Sequence, residues 1–188
     1  MSPRTVFFIG KPGCGKGTQA KLLAKKTGWP ILASGDQFRL IAKEDTAVGR
    51  KVKEEMEQGL LAPHWFAMYL YQRALFSLPE GESVIFDGFN RKEPEAQLIV
   101  DSLKWLNRPF VVLNIEVSDE EVTRRLANRQ KNSGRMDDHF VEERIAEFNT
   151  YTIKALEIFK EMKVLVEING EQSPEEVAAE VLRALTIS

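Results

Sequence analysis

The feature that most constrains this chain is the stretch Phe7-Phe8-Ile9-Gly10-Lys11-Pro12-Gly13-Cys14-Gly15-Lys16-Gly17-Thr18-Gln19. It opens with an apolar run, Val6 to Ile9, which reads as a buried strand. Glycines and a proline then break the run, and after Lys16 the pattern turns helical, with Leu22 and Leu23 at helix spacing from Gln19. Glycines let successive backbone N–H groups turn inward and approach an anion closely. The following helix aims its first N–H groups and the positive end of its dipole at the same point. Lys16 adds a full charge, so strand, loop, lysine and helix together make a cradle for nucleotide phosphates.

One position departs from the general phosphate-loop pattern. That pattern places Ser or Thr directly after the lysine, as a magnesium ligand. Here the position is Gly17, and the hydroxyl follows at Thr18. Mg²⁺ is therefore expected to be held mostly by phosphates and water, and the departure counts against a GTPase or motor ATPase.

With 188 residues the chain has room for one domain with a sizeable core. A net charge of −2 gives no reason to expect bulk attraction to nucleic acid or membrane. No apolar run is long enough to span a bilayer. The N-terminus runs straight into the first strand, so a signal peptide is not expected. Cys14 is the single cysteine, which excludes an internal disulfide and four-cysteine zinc sites and fits a reducing, cytosolic setting.

Apolar, strand-like runs recur at Val6–Ile9, Ile31–Ala33, Val84–Phe86, Phe110–Val117 and Val164–Ile168, separated by helical patterns. The alternation predicts an α/β fold, a parallel sheet of about five strands with helices on both faces. Ligands of such sheets bind at the carboxyl ends of the strands, where Gly10, Ser34-Gly35-Asp36 and Asp87-Gly88 fall. Asp36 to Pro63 reads as a small helical insertion, with Asp36 as an N-cap, Gly49 and Gly59 as punctuation and Pro63 opening the next helix. Gln130 to Asp138 carries the turn signal Asn132-Ser133-Gly134 between helices expected at Asp119–Arg129 and His139–Met162. Either a lid or a plain connector fits that segment.

The arginines are placed suggestively. Arg125 and Arg129 are four apart and share a helix face, while Arg135 and Arg144 follow the glycine turn. Clustered arginines beside a phosphate loop suit phosphoryl transfer, where charge spreads over the moving group's oxygens. A solvated hairpin salt-bridged to Glu120, Glu121, Glu142 and Glu143 fits the spacing equally. Arg39 and Arg91 each lie shortly beyond a strand end and suggest a second anionic ligand. Asp87 ends an apolar strand, as an aspartate that orders Mg²⁺-bound water would.

These stretches, taken in order, resemble the adenylate kinase family of nucleoside monophosphate kinases. The resemblance is carried by Gly10–Gln19, by Ser34-Gly35-Asp36 with Arg39, by Met56 to Pro63, and by Asp87-Gly88-Phe89 with Arg91. Arg125 and Arg129, then Gly134-Arg135-Met136-Asp137-Asp138, then Arg144 complete it over nearly the whole chain. It is to the short-lid form, without a zinc-binding lid. The resemblance implies a P-loop NTPase three-layer fold with a core at 1–34, 65–127 and 140–188, a monophosphate-binding insertion at 35–64 and a short lid at 128–139. It implies transfer of the terminal phosphate of MgATP to AMP. Gly13, Cys14, Gly15, Lys16, Gly17 and Thr18 would cradle ATP, with Arg125, Arg129 and Gln172 also on the donor side. Ser34, Arg39, Leu60, Leu61, Ala62, Gly88, Arg91 and Glu95 would take the monophosphate. Lys16, Arg91, Arg129, Arg135, Arg144 and Asp87 would act on the transferring group, with Asp87 ordering magnesium's water shell. Asp137 and Asp138 would hold the lid, and a cytoplasmic monomer is expected.

The sequence also departs from that family. Asn90 stands where the family has a cis-proline before the arginine, so it takes either a trans bond or a strained cis one, at about 3–4 kcal/mol. Ser34 keeps the hydroxyl of the family's threonine. Glu95 falls where a glutamine reads the adenine edge. A carboxylate only accepts hydrogen bonds, which suits guanine's adjacent donors better; a slip of two residues would bring in Gln97. A GMP- or pyrimidine-specific kinase and a nucleotide-binding protein without turnover are the alternatives. Cys14 reads as a small residue that fits the loop. His64 and His139 read as surface or capping residues, and Trp29, Trp65 and Trp105 as packing.

Overall fold

A computed structural model of the chain describes residues 5–58, 60, 62–133 and 141–187, with backbone alone at 130–133. Its centre is strand β1, Thr5–Ile9, whose residues are all buried. Side chains alternate across a strand. Val6 and Phe8 therefore enter one core, with Leu23, Ile85, Leu113, Leu126 and Val181. Phe7 and Ile9 enter the other, with Tyr71, Phe86, Ile99, Val112 and Phe159.

The remaining strands are β2 (Ile31–Ala33), β3 (Val84–Asp87), β4 (Phe110–Glu116) and β5 (Leu165–Asn169). They form one five-stranded sheet in the order β2-β3-β1-β4-β5, with every pair parallel. Phe7 pairs with Phe86 on one side and Val112 on the other. The α/β expectation therefore holds, with strand ends differing by a residue from those read in the sequence. Helices α1 (Lys16–Thr27), α6 (Asp119–Ser133) and α9 (Pro174–Ala184) cover one face. Helices α4 (His64–Phe76), α5 (Glu93–Trp105) and α8 (Ile153–Glu161) cover the other. None of the described helices is long and apolar enough to cross a membrane.

Helices α2 (Ser34–Ile41) and α3 (Ala47–Glu57) pack on each other beyond the edge strand β2. Here the structure corrects two expectations. Asp36 is not the cap of α2: the helix starts at Ser34 after extended Ala33, and the Asp36 carboxylate binds Arg39 instead. Gly49 is not punctuation but lies inside α3, whose cap is Thr46, its side chain accepting from Gly49 N. A Cβ at Gly49 would come within 2.2 Å of Glu44 O and 2.7 Å of Ile41 O. The glycine thus lets α3 close against the chain leaving α2.

The single helix expected from His139 to Met162 is continuous over its described residues but widens in the middle. Its described part consists of α7 (Val141–Glu147), a π-helical turn at Phe148–Thr152, and α8. At the turn, Ile153 N–H donates to Phe148 O, five residues back. Among the tryptophans, Trp29 packs against the core while Trp65 and Trp105 are exposed. His64 is exposed at the start of α4. His139, Gly59 and Gly134 lie outside the described residues, whereas Asn132 and Ser133, expected in a turn after a helix ending at Arg129, continue the helical backbone of α6.

Because backbone atoms, not a movable side chain, oppose the added methyl, Gly49→Ala is expected to lower stability by about 1–3 kcal/mol in urea denaturation. Unchanged stability would show that α3 can tilt away from Glu44 freely.

Candidate active site

The phosphate loop follows directly from the end of β1. Gly10, Gly13 and Gly15 have φ of 141°, 80° and 108°, a region that L side chains rarely adopt. The loop is also crowded from behind. A Cβ at Gly13 would come within 2.8 Å of Leu126 Cγ on α6, and one at Gly10 within 2.6 Å of Ile115 O on β4. Gly15 flanks α1, so the first N–H groups of that helix open into the loop. Lys16 Nζ donates to Gly10 O at 2.6 Å and Lys11 O at 2.7 Å, closing a ring across the loop. Lys11 is a brace: its Nζ donates to Val117 O at 3.1 Å and pairs with Asp119. Cys14 is buried in the core beside α6, as a small packing residue would be, and its carbonyl accepts from Arg125 at 3.2 Å.

Gly17 has a physical reason in the fold. A Cβ there would sit 3.3 Å from Asp87 Oδ2. The Asp87 carboxylate, at the end of β3, therefore lies against the first turn of α1, and a seryl or threonyl group at 17 would crowd it. Thr18 is exposed one residue on.

A cleft of about 640 Å³ runs along the carboxyl ends of β1, β2 and β3. Gly13, Gly15, Lys16, Gly17 and Thr18 line one part of it. Ser34, Asp87, Gly88 and Glu95 line another, with Leu60 and Ala62 beyond them. Arg39 on α2, Arg91 after β3, Arg125 and Arg129 on α6 and Arg144 on α7 converge on it from four different elements or loops. Arg135, Leu61, Asp137 and Asp138 lie outside the described residues. Gln172 does not line the cleft: its amide donates to Asn169 O and to Glu180. The neighbouring Gly170 reaches the site through its carbonyl, which accepts from Arg125 at 2.9 Å.

Arg125 satisfies both readings of the arginine cluster. Its Nε donates to Glu121 at 2.6 Å, as in a helical ion pair, while its two remaining nitrogens reach the phosphate loop and Gly170. Bonds from Arg124 and then Arg125 hold the Glu121 carboxyl down to about 2. Arg39 is oriented by Asp36, three residues before it.

Arg91 is held by the groups around the end of β3. Its Nε donates to Gly88 O at 2.8 Å and its Nη2 to Ser34 Oγ at 3.3 Å, while Ser34 Oγ donates to the same carbonyl at 2.9 Å. A Cβ at Gly88 would meet both Ser34 Oγ and Arg91 Nη2. Asn90 resolves the alternative left by the missing proline. Its peptide bonds are trans, and it takes φ of 69°, a left-handed conformation that asparagine tolerates. It is fully buried.

Glu95 sits in the first turn of α5, and its Oε2 accepts the Arg91 N–H at 2.7 Å. Its carboxylate is thus engaged with the backbone of Arg91, a use that spacing did not reveal. Gln97 is exposed, bonds Asp101 at 2.9 Å and stays out of the cleft, so the two-residue slip is not adopted. Sequence reading also missed Glu147, whose half-buried carboxylate lies near Lys92, Arg91 and Arg144 and is pushed up by burial. No motif marks it.

Burial pushes the Glu95 carboxyl above its ordinary range, against the opposing pull of the Arg91 N–H and charge. The folded chain then holds this proton to higher pH than the unfolded chain, so more protons are bound in the folded state and the contribution to stability falls as pH rises through that window. The melting temperature of Glu95→Gln, relative to the unaltered protein, is therefore expected to climb from acid to neutral pH. A difference that stays flat across a buffer series would contradict this.

A family model described as adenylate kinase matches residues 8–164. An adenylate kinase of Leptospira biflexa is 32% identical over 185 residues, covering 97% of this chain and 100% of the relative. One from Bacteroides fragilis is 32% identical over 183 residues, covering 96% and 97%. One from Thermus thermophilus is 34% identical over 187 residues, 98% of each chain. The phosphate loop, the arginine-lined cleft and these likenesses over nearly the full length agree: the chain belongs to the adenylate kinase family, and is a phosphotransferase of the nucleoside monophosphate kinase type.

Proposed function

We propose that this phosphotransferase moves the terminal phosphate of MgATP to AMP, giving two ADP, and that the residues gathered in the cleft carry the transfer. The observation that supports this most directly is the convergence of Lys16 with arginines from two sides of one cleft. Arg39 and Arg91, beyond β2 and β3, hold the acceptor phosphate. Gly13 to Thr18, Arg125 and Arg129 hold the donor phosphates, and Lys16, Arg129 and Arg144 neutralise charge on the group in transit. Arg135 joins them in the same role. The helices beyond β2 form the monophosphate-binding insertion, 35–64, and residues 128–139 the lid over the core.

The residues present fit magnesium held through water. Asp87 is a carboxylate beside the phosphate loop, and Gly17 offers no hydroxyl to compete as a direct ligand. Bound with ATP, Mg²⁺ would supply charge neutralisation of the phosphates, and Asp87 would order its water. The acceptor oxygen of a monophosphate is already anionic, so no general base is required. No histidine lines the cleft among the described residues. Positioning and charge then supply the catalysis. Exclusion of water by the insertion and the lid would protect ATP from hydrolysis. The same reading takes the enzyme as a monomer, and as cytoplasmic in keeping with its single cysteine.

One observation favours GMP as a second reading: the buried acceptor-side group lining the cleft is the carboxylate of Glu95, not an amide. Its engagement with the Arg91 N–H lessens that support.

Initial rates with AMP, GMP, CMP and UMP at fixed MgATP separate the readings. AMP is expected to be fastest, and a preference for GMP would replace it. Lys16→Ala is expected to lower kcat by about a hundredfold or more in a coupled ADP assay. An unaltered protein with no turnover to lose would instead be a nucleotide-binding module.

A further inference from the structure

The chain around Arg91 is held at more points than its side chain alone requires. Its N–H is taken by Glu95 on α5 at 2.7 Å. Its carbonyl accepts a hydrogen bond from Thr152 Oγ1 at 3.0 Å, across 61 residues of sequence. Thr152 is only 4% exposed and is the last residue of the π-helical turn. A second contact joins the same two segments: Lys92 Nζ lies 5.3 Å from the centre of the Tyr151 ring. The π-helical turn is therefore docked on the Arg91-Lys92 segment. It continues directly from α7, which carries Arg144.

The need for such a dock follows from position 90. Asparagine leaves φ unrestrained where a proline ring would fix it, and here it adopts the left-handed region. Arg91 directly follows that softer link, yet its guanidinium must meet a phosphate within hydrogen-bond reach. A displacement of about 1 Å at such a group is enough to lose much of the benefit of positioning.

We propose that Thr152 is a positioning residue for the acceptor phosphate: its hydroxyl pins the Arg91 carbonyl, so that Arg91 is presented at a fixed place beside the segment bearing Arg144. A widened turn serves this end, because an inserted residue in a helix re-aims the side chains that follow. The inference rests on Arg91 binding the acceptor phosphate, as proposed above. Thr152 touches neither substrate and acts only through Arg91.

The test is a double-mutant cycle read by AMP affinity in calorimetry and by steady-state kinetics on the full chain. Thr152→Val keeps the shape and removes the hydroxyl. It is expected to weaken AMP binding and raise KM for AMP by about 3- to 10-fold, the worth of one hydrogen bond, with KM for ATP little changed. Thr152→Ser should restore the values. In an Arg91→Ala background, Thr152→Val should add nothing to the loss in AMP affinity, because there is no guanidinium left to position. A merely structural threonine would instead lower the melting temperature, shift ATP and AMP alike, and add its effect to that of Arg91→Ala; any of these kinetic patterns overturns the inference. Should Thr152→Val lose cooperative unfolding, Thr152→Ala against Thr152→Ser gives the same comparison. An unaltered protein that neither binds nor turns over AMP would overturn the functional reading itself. A normal one whose AMP affinity ignores Thr152 overturns this inference alone.

Discussion

Parallel pairing of β1 with β3 on one side and β4 on the other is the interaction on which everything else depends. Both neighbours run in the same direction as β1, so all three strands deliver their carboxyl ends to one edge. The phosphate loop, the Asp87-Gly88 segment and the β4 end that braces Lys11 meet there for that reason. The pairing is itself fixed by burial. Val6 and Phe8 fill one core and Phe7 and Ile9 the other, so a slip by one residue would exchange the two sets. A central strand that is apolar on both faces thus sets the position of a polar site at its tip.

Gathering several arginines in one cleft raises an electrostatic problem, and the fold meets it in two ways. Carboxylates hold some guanidiniums, as Glu121 does for Arg125 and Asp36 for Arg39. Elsewhere neutral carbonyls do the work: Gly88 O for Arg91, and Cys14 O and Gly170 O for Arg125. A carbonyl satisfies a guanidinium N–H and fixes its geometry without cancelling its charge. The positive field available to phosphates is preserved where it matters. The two acids that pair with these arginines, Glu121 and Asp36, both lie outside the phosphate loop.

Much of this was legible in the sequence, for identifiable reasons. Strands buried on both faces read as unbroken apolar runs, and the phosphate loop needs glycines at particular points, so both leave local marks. Arg39 and Arg91 were legible because each follows a strand end, Arg125 and Arg129 because they share a helix face, and Arg144 because it follows the glycine turn. What stayed hidden depends on contacts distant in sequence. Gly49 looked like a helix break, but its reason is the carbonyls of Ile41 and Glu44 pressing on it. Glu95 was read only against the acceptor base, because spacing cannot show that its carboxylate also takes the Arg91 N–H. The π-helical turn inside an otherwise helical pattern left no composition signal, and with it Thr152 went unseen. Asp36 resembled a cap because caps and ion-pair partners draw on the same residue type.

The ring that Lys16 closes across the loop bears on binding thermodynamics. A lysine on a bare surface would surrender rotamer freedom when it engaged a phosphate, a loss of about 1.5–2 kcal/mol. Here the ammonium is already tethered to Gly10 O and Lys11 O. Engagement of a phosphate oxygen becomes an exchange of acceptors rather than the ordering of a mobile chain. The entropy loss is taken up when the protein folds and not when the nucleotide arrives, so the loop meets each substrate with its cation restrained.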